Sequence, residues 1–180
     1  DKEQIKSILD SYNEAGFKKL VVLRGDLPSG VGGYGDFKYA KDLLEYIKSL
    51  YGNQFHLEVG AYPEVHPQAK SADDDFIHFS NKVKAGADGA ITQFFFSPEA
   101  YYEFMDRSEK ANLGIPITPG LITITNKESL LRMASNCGAK IPKEVVKDLD
   151  GLNDEDVIKY GIDVITKLGE DLLSFGAPGI

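Results

Sequence analysis

The stretch DDFIHFSNKVKAGADGAITQFFFSPEAYYEFM, residues 74–105, holds a helix, a strand and a second helix in direct succession. Asp74 to Ala85 reads as a helix with Phe76, Phe79 and Val83 on one face, closed by Gly86. Gly89 to Phe96 (GAITQFFF) is a short apolar run and reads as a buried strand. Ser97-Pro98-Glu99 then starts a helix: a cap residue, a proline suited to the first turn, and an acid facing the positive end of the helix dipole. Tyr101, Phe104 and Met105 continue that helix.

The same alternation extends in both directions. Lys19 to Arg24 (KLVVLR), Phe55 to Ala61 (FHLEVGA) and Ile115 to Leu121 (IPITPGL) read as strands, the last constrained by Pro116. Ile5, Ile8, Leu9 and Tyr12 lie at helical spacing before Gly16. Asp36 is the expected cap of a helix carrying Tyr39, Leu43, Leu44, Ile47 and Leu50. Asn126 caps another with Leu130 and Met133, Pro142 begins a short one, and Asp154 begins the longest, ended by Gly176. Strand starts near Leu20, Leu57, Ala90 and Ile115 lie 37, 33 and 25 residues apart, which implies parallel strands with helical crossovers.

Two α/β architectures fit that rhythm: a doubly wound open sheet and a (β/α)8 (TIM) barrel. Gly30, Gly32, Gly33 and Gly35 follow the first strand but do not form G-x-G-x-x-G, and no phosphate-loop motif is present. Polar groups stand at the C-terminal end of every strand: Arg24-Gly25-Asp26, Tyr62-Pro63-Glu64, Gln93 and Pro119-Gly120. Four consecutive strands delivering chemistry to one rim favour the barrel. A whole barrel takes about 250 residues, so residues 1–180 are expected to supply about half of one domain.

Lys and Arg total 20 against 28 Asp and Glu, a net charge of −8, which argues against nucleic-acid binding as the main role. Apolar residues at 42% and charged residues at 27% are ordinary for a globular chain. The single cysteine, Cys137, excludes an internal disulfide framework and fits a reducing compartment. His56, His66 and His78 lack metal-ligand spacing. No apolar run approaches the ~20 residues of a membrane span, and no secretory leader is visible. The chain opens inside a helix, which reads as a piece of something longer.

Several residues have both a structural and a chemical reading. Arg24 and Asp26 suit a salt-bridged rim, or an anion site and a carboxylate aimed into a cleft, with Gly25 allowing close approach. Tyr62-Pro63-Glu64-Val65-His66-Pro67 is a rigid turn; Tyr62 suits core packing or stacking on a planar ring. Asp73-Asp74-Asp75 complements a helix dipole, while Asp75 and Lys82 share a helix face and suit a ribose and a phosphate. Gln93 inside an apolar strand must pair its amide, and a heterocycle edge would serve.

Taken in order, Leu23-Arg24-Gly25-Asp26, Tyr62 to Pro67 with Ala69-Lys70, Lys82-Val83 with Ala85-Gly86-Ala87, Ile91 to Phe96, and Pro119-Gly120 resemble methylenetetrahydrofolate reductase. The resemblance implies a cytoplasmic, homo-oligomeric flavoprotein barrel. It implies transfer of hydride from NAD(P)H through FAD to 5,10-methylenetetrahydrofolate, giving 5-methyltetrahydrofolate. It assigns the FAD site to Arg24, Gly25, Asp26, Tyr39, Ala40, Tyr62, His66, Asp75, His78 and Lys82. The same resemblance implies a catalytic role for Asp26 beside flavin and folate, and a pterin and nicotinamide contact for Gln93. Where the family has a Gln and a Phe after the fourth of these strands, this chain has Ser129 and Met133. The matched region corresponds to strands four to seven, so the remainder of the barrel and its first-strand catalytic glutamate lie outside it. A catalytically incomplete half-barrel that binds a flavin or a phosphorylated metabolite is the other reading.

Overall fold

The computed structural model describes residues 1–25, 33 and 35–180. Four strands, β1 (Lys19–Val22), β2 (His56–Ala61), β3 (Gly89–Thr92) and β4 (Ile117–Thr118), form one sheet. All neighbours are parallel and the spatial order is β1-β2-β3-β4. A doubly wound sheet reverses its order at a switch point; these four strands do not reverse. The helices are α1 (Lys2–Glu14), α2 (Ala40–Tyr51), α3 (Ala72–Lys84), α4 (Pro98–Lys110), α5 (Lys127–Cys137), α6 (Lys143–Asp148) and α7 (Asp154–Phe175).

Strand side chains alternate between two different environments. Val22, Leu57, Val59, Ala61, Ala90 and Ile117 are buried in one core with Leu44 and Ile47 of α2, Phe79 of α3, Phe104 of α4 and Leu168 and Leu172 of α7. The opposite face carries Val21, Leu23 and Ile91, which are 53%, 58% and 38% exposed. The Tyr101 hydroxyl ties α4 to the sheet by donating to the Ile117 carbonyl at 2.7 Å. A second core joins Phe94, Phe96, Ile124, Leu130, Ala134, Val145, Leu149 and Val157.

The strands are shorter than the apolar runs suggest. Beyond Thr92 the chain leaves the ladder, and Phe94 and Phe96 enter the second core while Phe95 enters the first. Pro116 has no N–H to donate, although its carbonyl accepts from Ala90 N at 2.9 Å. Past β4, the Gly120 amide donates to Thr92 Oγ1 instead of a backbone carbonyl. Asp36 does not cap α2; its carboxylate accepts from Lys2 N. Tyr39 is the cap, and its amide donates to Asp42 Oδ2 at 2.9 Å. Ser71, not Asp74, opens α3, with its hydroxyl accepting from Asp74 N. Asn126 caps α5 as expected, while Asn153 caps α7 one residue before Asp154.

Candidate functional site

The C-terminal ends of β1 and β2 meet through side chains. Arg24, two residues past β1, donates from Nη2 to Gln68 Oε1 at 2.9 Å. The Gln68 backbone N–H donates to His66 Nδ1 at 3.0 Å. The His66 ring lies edge-on to Tyr62, with centroids 4.5 Å apart. The turn after β2 is thus linked to Arg24 through Gln68, which also holds His66, and the His66 ring contacts Tyr62. Gly25 has φ +75, and a Cβ there would meet nothing within 4 Å, so the backbone is open to close approach.

Helix α3 braces this turn from beneath. Asp75 Oδ2 accepts from the His66 amide at 2.8 Å. Lys82 runs up the same face and donates from Nζ to the Gly60 carbonyl at 2.5 Å. The alternation of β2 explains that contact. Leu57 and Ala61 turn their carbonyls to the β3 side, where Asp88 N and Gln93 N donate to them. The Gly60 carbonyl thus turns toward β1, whose pairing stops at Val22 opposite Val59. Burial pushes the Lys82 ammonium down to about 8, and the charge of Asp75 limits the fall.

Gln93 is half-buried just past β3, and its carboxamide oxygen accepts from Phe94 N at 3.0 Å. It lines a crevice with Tyr62, Pro63, Glu64, Val65 and the 137–139 segment. The crevice encloses only about 10 Å³, so a ring-sized ligand would lie against this rim and not inside it. Tyr39, at the start of α2, and His78, in α3, have rings 6.1 Å apart and 23° from parallel. Ala40 follows as the first residue of α2. Asp26 lies outside the described residues, as do Gly30 and Gly32.

Arg24, Gly25, Tyr62, His66, Asp75 and Lys82 thus gather around the end of β2, with Gln93 adjoining Tyr62. Tyr39, Ala40 and His78 form a second group toward α2. The sequence reading missed Gln68, whose only cue is its place directly after the two-proline turn. It placed Glu64 at the strand end but not its link: Oε2 accepts from Lys140 N at 2.9 Å and ties the turn to the segment after α5. No local pattern announces a contact between residues that distant. Ser129 spends its amide on the Asn126 cap, and Met133 is 43% exposed. The Cys137 thiol is pushed up by burial, which disfavours its thiolate form.

The family model for methylenetetrahydrofolate reductase matches residues 1–180. The chain belongs to the methylenetetrahydrofolate reductase family. It is 40% identical over 154 residues to the 5,10-methylenetetrahydrofolate reductase of Pectobacterium carotovorum, covering 86% of this chain and 50% of that protein. It is 34% identical over 189 residues to methylenetetrahydrofolate reductase (NADH) 1 of Arabidopsis thaliana, covering 97% of this chain and 32% of the relative. The chain therefore spans about half the length of the bacterial relatives it matches. Among solved structures, an uncharacterised Clostridium thermocellum protein that binds two copies of 5-methyl-5,6,7,8-tetrahydrofolic acid aligns with a TM-score of 0.58 at 20% identity. The alignment covers 89% of this chain and 63% of that one. The likeness bears on the fold, which in this family is the TIM barrel.

Proposed function

We propose that residues 1–180 form strands four to seven, with their helices, of a single (β/α)8 barrel domain. In this reading the whole protein is a cytoplasmic, homo-oligomeric methylenetetrahydrofolate reductase using FAD and NAD(P)H. The barrel reading is supported by the unreversed parallel order β1-β2-β3-β4 and by polar groups clustered past the strand ends. Among the described residues no helix is long and apolar enough to cross a membrane.

The observation that carries the functional reading is the cluster of Arg24, Tyr62, His66 and Lys82 around one strand end. Its chemistry fits FAD. A guanidinium and a buried ammonium suit two phosphates, and an exposed glycine backbone suits close approach. Tyr62 offers an aromatic group for the flavin end, and Tyr39 with His78 offers paired rings for the other. FAD, when bound, supplies the relay of hydride between the nicotinamide and the folate.

The remaining roles belong to side chains. Asp75 holds the His66 amide and supports the charge on Lys82. Gln93 stands beside Tyr62 and would read the hydrogen-bonding edge of the pterin. Asp26, next to Gly25 in sequence, is assigned to the folate. A carboxylate there stabilises the cationic iminium form that accepts hydride and disfavours excess negative charge on the ring system. The general acid toward the folate nitrogen is assigned to a strand outside residues 1–180.

The complete gene product should purify with a flavin absorption spectrum. Under anaerobic conditions NADH or NADPH should bleach that spectrum, and 5,10-methylenetetrahydrofolate should restore it. A colourless protein that takes up no added FAD would refute the reading.

A further inference from the structure

The exposed face of the sheet contains one feature that the proposed site does not use. Val21, Glu58 and Gly89 form one row across β1, β2 and β3. Glu58 Oε1 lies 2.9 Å from His56 Nε2. Its other oxygen, Oε2, is shut off from solvent and meets no hydrogen-bond donor among the described residues. Lys19 lies on the same face of β1, opposite His56, and does not reach it. A Cβ on Gly89 would stand 2.8 and 2.9 Å from the two carboxylate oxygens. Glycine at that position leaves the carboxylate its space.

A carboxylate has about four acceptor sites, and one imidazole contact leaves most of them unmet. A buried acceptor without a donor is costly, and a buried charge without a countercharge more so. The surroundings add to the demand. Val21, Leu23 and Ile91 present exposed apolar side chains around Glu58, so whatever covers this face will exclude water from it. The chain spans about half the length of its bacterial relatives, and among the described residues β1 and β4 have no strand on their outer sides. We infer that the staves outside residues 1–180 cover this face and bring an arginine or lysine side chain to Glu58 Oε2 in the barrel interior. This inference rests on the barrel reading given above and adds the chemistry that closes it. A neutral donor would leave the His56 ring, on the other oxygen, as the one group facing the Glu58 charge in a dry interior.

Glu58→Gln in the complete gene product tests the sign of the effect, since Gln keeps the shape and removes the charge. With a cation present, the variant leaves that cation unpaired, and the melting temperature falls by about 10 °C. The loss persists in high salt, because an interior pair is poorly screened. Without a cation, the variant relieves an unmatched charge, and the melting temperature stays level or rises; that result overturns the inference. A crystal structure of the complete protein separates the two levels of argument. A closed barrel with an Arg or Lys nitrogen about 3 Å from Oε2 supports the inference. A closed barrel with water, Lys19 or a hydroxyl there overturns it alone, and a sheet left open at β1 and β4 overturns the barrel reading with it.

Discussion

Replacing Lys82 by Met should strengthen the empty fold and weaken its hold on FAD. Lys82 titrates near 8 against an ordinary value of 10.5, chiefly because it is buried. At about 1.4 kcal/mol per pH unit, the fold carries a penalty of about 3 kcal/mol for the protonated side chain. The penalty is fully present below pH 8, where folded and unfolded chains are both protonated. It is relieved between pH 8 and 10.5, where the unfolded chain binds more protons, so this contribution makes stability rise with pH. Methionine has no charge to bury but abandons the Gly60 carbonyl, a loss of about 1–2 kcal/mol. The apoprotein variant should therefore be more stable by about 1–2 kcal/mol at neutral pH, and its stability should lose the rise above pH 8. FAD binding should move the opposite way. If phosphate needs the ammonium, wild-type affinity declines above pH 8 by up to tenfold per pH unit, while the Met variant binds weakly at every pH. Flavin fluorescence quenching on the complete apoprotein gives the affinities, and urea unfolding gives the stabilities. Wild-type affinity that stays flat across pH 8, or a variant that keeps the slope, would refute this account of Lys82.

Three further substitutions probe the site and its supports. Asp26→Asn should slow reoxidation of the reduced flavin by 5,10-methylenetetrahydrofolate by about 100-fold or more and leave reduction by NAD(P)H nearly intact; equal losses in rapid-mixing traces of both halves would remove Asp26 from the folate step. Asp75→Asn keeps an acceptor for the His66 amide but deletes the charge that supports Lys82, so the Lys82 midpoint should drop below about 8 in an NMR titration; an unchanged midpoint would mean that burial acts without help from Asp75. Gly120→Ala places a Cβ 2.2 Å from the Thr92 carbonyl oxygen, a backbone clash that should lower stability by about 3 kcal/mol or more in chemical denaturation; a wild-type midpoint would show that the β3 and β4 ends part easily.

Much of the architecture was legible in residue periodicity. Apolar runs bounded by glycine and proline located all four strands, and Asn126 and Pro142 were read correctly at their helix starts. Strand length was not legible. An apolar run records burial, and Phe94, Phe95 and Phe96 are buried without being laddered. Asp36 looked like a cap because aspartate usually is one near a helix start; the actual box pairs the Tyr39 amide with Asp42, inside the helix. At the candidate site, polar residues past the strand ends pointed to the rim where Arg24, Gln68, His66 and Tyr62 are linked. Their internal wiring was hidden, because the links from Arg24 to Gln68 and from Glu64 to Lys140 join residues 44 and 76 positions apart. No local pattern encodes those contacts.

The three successive phenylalanines after β3 act as a rivet. Phe95 stacks on Tyr101 beneath the sheet, while Phe94 and Phe96 meet edge-on in the compartment formed by α5, α6 and the start of α7. One short run of extended chain is thus clamped from both sides. Neither compartment can loosen without pulling on the other, so the late helices should melt together with the sheet and not ahead of it, keeping the crevice beside Tyr62 walled for as long as the strands hold.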